Sequence, residues 1–84
     1  MLQRSVDDPM HPDIEINLAG EILPISLLKC KHALDALNPL ELLSVRTDDR
    51  IVVENMTKFI RGRQYRIVHQ EKTGETYIFF ITKE

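Results

Sequence analysis

The chain has 84 residues and a mass of 9.8 kDa, so it forms one domain around one core and buries roughly 60–65% of its unfolded surface. With 43% apolar and 29% charged residues it has an ordinary globular composition, and its apolar runs fall far short of the roughly 20 residues that a membrane-spanning helix needs. A net charge of -2 argues against a nucleic-acid binder working by bulk electrostatics, and a single cysteine excludes an internal disulfide. The N-terminus lacks the basic-then-apolar pattern of a signal peptide, which predicts a cytoplasmic protein. Residues 1–13 carry Asp7, Asp8, Pro9, His11 and Pro12 with no apolar period and are expected to form a disordered tail, leaving 14–84 as the folded domain.

Ile14, Ile16 and Leu18 alternate with polar residues and predict the first strand, Ile14 to Leu18, followed by a turn at Ala19-Gly20. The apolar period then changes to three and four at Leu23-Pro24. Proline fits the first helical position, where its missing N–H is not needed, so Leu23 is the expected N-cap even though it has no oxygen to accept the free amides. This helix runs to about Leu37, stopped by Asn38-Pro39, with Leu27, Cys30, Leu34 and Leu37 as its buried stripe. Cys30 therefore points inward, as a small buried hydrophobe rather than a reactive thiol.

Glu41 to Arg46 reads as the second strand, with Leu43 and Val45 on one face and Leu42 and Ser44 on the other. Asp48 or Asp49 caps a second helix from about Arg50 to Arg61, closed at Gly62, with Val52, Val53, Met56, Phe59 and Ile60 buried. Tyr65 to His69 is the third strand, Lys72-Thr73-Gly74-Glu75 a turn, and Thr76 to Thr82 the fourth strand. The order β-α-β-α-β-β, with two crossover helices and a closing hairpin, predicts an α+β two-layer sandwich. Its sheet is mixed and four-stranded, and both helices lie on one face.

Little in this sequence carries chemistry by itself. His11, His32, His69 and Cys30 lack the paired spacing of a metal site, and Gly20, Gly62 and Gly74 are too far apart for a phosphate loop, so no metal or cofactor is expected. Ser26 has no base within reach, because on a helix His32 lies roughly 9 Å along the axis and about 120° round. A basic cluster, Lys58, Arg61, Arg63 and Arg66 with Tyr65 among them, follows the second helix. It reads as a solvated face, or as a docking patch for an acidic partner or for RNA on which Tyr65 would stack.

Taken in order, several blocks resemble one family. Gly20-Glu21-Ile22-Leu23-Pro24-Ile25-Ser26 is similar to the Gly-x-x-Cys-Pro-x-Pro motif that opens the first helix of TusA/SirA sulfur-carrier proteins; Gly20 and Pro24 match, while Leu23 stands for the cysteine and Ser26 for the second proline. Asn38-Pro39-Leu40-Glu41 resembles the family's turn before the second strand, with Leu40 where glycine is usual. Thr47-Asp48-Asp49 resembles its second helix start, and Gly74, Tyr77, Phe79, Ile81 and Lys83 its last strand. The resemblance spans about four fifths of the chain and implies the same sandwich, with strand order 1-2-4-3.

In that family sulfur travels as a persulfide on the motif cysteine. A thiolate at a helix start meets free amides and the positive end of the dipole, which lower its pKa. Leu23 has neither lone pair nor acidity, so the resemblance implies a degenerate site with no enzymatic transfer step of its own. The leading expectation is a non-catalytic, protein-binding or regulatory module linked to sulfur metabolism. Ile22, Leu23 and Ile25 would offer a partner apolar surface, with a sulfur-relay protein as the candidate partner. The alternatives are a carrier that uses Cys30 or a partner's cysteine and, more weakly, RNA binding through the Arg61 to Arg66 cluster.

Overall fold

Alternation of Ile14 and Ile16 with Glu15 and Asn17 gives the first strand, and each later change of hydrophobic period marks a new element. In chain order these are β1 (Ile14–Asn17), α1 (Ile25–Ala36), β2 (Leu42–Thr47), α2 (Arg50–Ile60), β3 (Tyr65–Thr73) and β4 (Thr76–Lys83). They belong to a computed structural model that describes residues 11–84. The expected tail lies outside the described residues up to residue 10. Its last residue, Asp13, is tied down: its N–H donates to Leu42 O at 2.8 Å, and its carboxylate accepts the Leu42 N–H at 2.8 Å.

The sheet has the order β1-β2-β4-β3, as the family resemblance implies. β1 runs parallel to β2, while β4 is antiparallel to both β2 and β3. Register follows from which face is buried. Ile14, Leu43, Ile81 and Ile67 line up across all four strands toward the helices, and the neighbouring row of Glu15, Ser44, Phe80 and His69 faces the other way. One layer of helices thus covers one face of the sheet, forming the α+β two-layer sandwich. Leu34, Cys30, Val52 and Met56 close the core against Leu43, Val45, Phe79 and Ile81.

Several boundaries differ from expectation. Pro24 is the N-cap of α1 and Ile25 its first residue, one position later than the sequence suggested, so Leu23 precedes the cap. Of the expected stripe of α1, Cys30, Leu34 and the C-cap Leu37 are buried and Leu27 is only half-buried, while Ser26 and Ala33 face the core as well. β3 continues past His69 to Thr73, so Lys72 and Thr73 belong to the ladder and only Gly74-Glu75 turn the chain, with Gly74 at φ +62°. A register shift between Ile67 and His69 leaves Val68 as the extra residue of a β-bulge, which bends this edge strand. Leu40 adopts φ +73°, in the left-handed region that glycine enters most freely, and is 93% exposed.

Candidate functional site at the start of the first helix

Because β1 and β2 are parallel, each hands the chain to its helix at the same end of the sheet. The two connections are joined there. Gly20, at φ +82°, donates its N–H to Asp48 Oδ1 at 3.3 Å, and the Glu21 N–H returns to Leu18 O at 2.9 Å. Asp49, not Asp48, caps α2 by accepting the Ile51 N–H on Oδ1 at 2.9 Å. The Leu23–Pro24 peptide is cis, the Ser26 N–H reaches Ile22 O at 3.0 Å, and Lys29 pairs with Glu21 across the corner.

The motif positions separate into two sets. Leu23 turns inward and packs against the core, and Ser26 is fully buried, its hydroxyl without a hydrogen-bond partner among the described residues. Gly20 and Pro24 stay at the surface. Ile22 is 68% exposed, and Ile25 and Leu28, one helical turn apart, are about half exposed. The expected apolar corner of Ile22, Leu23 and Ile25 is thus a ridge of Ile22, Ile25 and Leu28. Leu28 was missed, although its spacing of three from Ile25 would have revealed it.

Cys30 is completely buried, and desolvation pushes its thiol from the ordinary 9.0 up to about 11. It therefore stays protonated and out of contact with solvent at neutral pH. Ser26 and His32 are not brought together, since one is buried and the other exposed. Among the described residues no three acidic, histidine or cysteine side chains gather as a metal site, and no helix is long and apolar enough to cross a membrane.

The basic cluster also resolves differently from its expected grouping. Arg66 does not join Lys58, Arg61 and Arg63: between inward-facing Tyr65 and Ile67 it points to the other side of the sheet, where it pairs with Glu84 at 3.5 Å. Strand alternation in the sequence already contained that separation. Tyr65 is not a stacking platform, because it packs on the core and its hydroxyl donates to Leu34 O at 3.2 Å. Lys31 of α1 takes Arg66's place, with its ammonium 5.0 Å from the Phe59 ring centre, while the Arg63 guanidinium lies 4.3 Å from the same ring.

Residues 14–83 match the family model described as sulfurtransferase TusA. A putative sulfur carrier protein of Methanocaldococcus jannaschii is 33% identical over 69 residues, which is 82% of this chain and 92% of that protein. The crystal structure of a SirA-like protein from Desulfitobacterium hafniense superposes with a TM-score of 0.69 at 27% identity, over 82% of this chain and 95% of the other. On the match to the family model and the likeness to these two proteins, this chain belongs to the TusA/SirA family of sulfur-carrier proteins.

Proposed function

We propose that this protein is a TusA/SirA-like module that binds a protein partner through its helix-start corner and does not itself carry sulfur. The observation that carries this reading is the state of its thiols. The motif position holds Leu23, and the one cysteine of the chain, Cys30, is buried with its thiol held protonated. A persulfide forms when a thiolate takes a sulfane sulfur from a donor, and at this corner there is no thiolate to do so. Moving the carrier to Cys30 meets the same burial: the donor would have to open α1 to reach it.

What the corner retains is shape and hydrocarbon. Ile22, Ile25 and Leu28 expose apolar surface beside the positive ends of two helices, a setting suited to a partner that presents an apolar anchor with an acidic flank. Members of this family work with partner proteins, and a partner from a sulfur relay fits the role. The protein would then occupy or regulate a docking surface without passing sulfur on.

The test is to incubate the native chain with a cysteine desulfurase and cysteine, then weigh it. The native chain is expected to stay at its own mass, whereas Leu23→Cys is expected to gain one sulfur atom. A native chain that gains sulfur on Cys30 overturns the reading.

A further inference from the structure

The opposite pole of the molecule, where α2 ends, carries charges that the fold leaves unanswered. Ion pairs among the described residues engage Lys29, Arg50, Arg66 and His69, and none of them reaches Lys31, Lys58, Arg61 or Arg63. Even Asp35, one turn beyond Lys31 on α1, does not pair with it. Helix-dipole stabilisation accounts for Lys58 in the last turn and in part for Arg61 at the C-cap, but not for the other two. Lys31 comes from a different helix, and Arg63 lies beyond the turn at Gly62, whose φ of +79° reverses the chain and brings the guanidinium back over Phe59. The Phe59 ring thus holds one cation from α1 and one from the segment after α2, so this pair is brought together by tertiary structure.

We propose that this pole docks an acidic segment of a partner protein, at a surface separate from the helix-start corner. An arginine laid on an aromatic ring keeps its N–H edge free and presents it in a fixed plane, the form in which guanidinium meets a carboxylate with two parallel hydrogen bonds. Lys31 adds a second positive charge at the same ring, and Lys58 and Arg61, in the last turn and at the C-cap of α2, add two more at this end of the helix. An RNA strand is the less suitable occupant. Phe59, the aromatic of this patch, already has its ring in contact with Lys31 and Arg63, and Tyr65 is packed away, so unstacked bases have no platform. A net charge of -2 further opposes the approach of a long polyanion.

Fluorescence anisotropy on the full chain at low ionic strength tests this, with a fluorescein-labelled oligoglutamate peptide as probe and an oligouridylate of equal charge as competitor class. The peptide is expected to bind, and to bind less tightly as salt is raised. The double variant Arg61→Ala/Arg63→Ala should weaken it about tenfold, and Lys31→Ala should weaken it as well, because the site spans both helices. Arg63→Lys should fall between native and Arg63→Ala, while Lys72→Ala on the distant hairpin should change nothing. These side chains lie at the surface, and an unchanged circular dichroism spectrum verifies the fold of each variant. The proposal is overturned by native affinity in the double variant, by absence of binding at low salt, or by oligouridylate binding more tightly with the same dependence on Arg61 and Arg63.

Discussion

The two helices begin at the same end of one sheet, and their first turns are finished in opposite ways. α2 starts on Asp49, whose carboxylate accepts a first-turn amide at 2.9 Å and sits at the positive end of the dipole. α1 starts on Pro24 with no side-chain cap and no acidic residue in its first turn; Leu23, just before it, packs against the core, and Ile22 and Ile25 are exposed on either side. The one thiol lies farther along α1, where burial opposes ionisation. Negative charge is therefore welcome at one helix start, absent from the other, and penalised in the interior between them. Placing or removing an anion at each of these positions should give effects of different size and sign.

The largest belongs to Cys30. Its pKa rises from 9.0 to about 11 on folding, so the neutral thiol is favoured in the native state. Below about pH 9 the thiol is neutral in folded and unfolded chains alike, and its contribution to stability is fully present. Between 9 and about 11 the unfolded chain ionises and the folded chain does not, so up to about 2–3 kcal/mol is lost as pH rises through the folded value. Every other ionisable group is common to the native chain and Cys30→Ala, so the difference between the two isolates the thiol. Denaturant unfolding of both at about pH 8 and about pH 11 should show the native chain's advantage shrinking by that amount. An advantage that stays constant means the thiol ionises as freely in the core as in water.

How far the sequence could be read follows the same physics. The element order was legible because each element repeats its burial period, and Asp48-Asp49 announced a helix start. The length of β3 was not: His69 to Thr73 are exposed, so no apolar period extends the strand. Only the ladder with β4, pairing Lys72 with Tyr77 and Thr73 with Thr76, reveals it. The strand order came from family resemblance, since alternation gives faces and not neighbours. At the candidate site, Leu23 in place of cysteine was plain, but the inward turn of Leu23 and the burial of Ser26 depend on how the corner packs. Lys31 was invisible for a related reason: its partnership with Phe59 crosses from one helix to the other, and no local spacing encodes that contact.

A smaller effect is expected from removing the anion that α2 does use. Asp49→Ala leaves first-turn amides without their acceptor and should cost about 1 kcal/mol, read in a domain of this size as a fall of about 4–8 °C in Tm. Asp49→Asn keeps the hydrogen bond and loses the charge, so it should retain most of the stability. Should the two variants fall equally, the carboxylate acts through its charge on the dipole and not as a cap.

The smallest effect is expected where charge is added to α1. Ile25 is 49% exposed and occupies the first helical position, where a carboxylate meets free amides and the positive dipole end. Ile25→Glu forfeits some apolar contact and gains the dipole interaction, so the net change should lie within about 0.5 kcal/mol of zero in denaturant unfolding. Leu23 responds differently, because it packs against the core and a carboxylate there would be partly desolvated. Leu23→Asp should destabilise clearly more than Ile25→Glu, which makes Ile25 the better position for separating binding from folding. If Ile25→Glu instead costs more than about 1.5 kcal/mol, its side chain is part of the packing, and the corner has less free hydrocarbon to offer a partner than its exposure indicates.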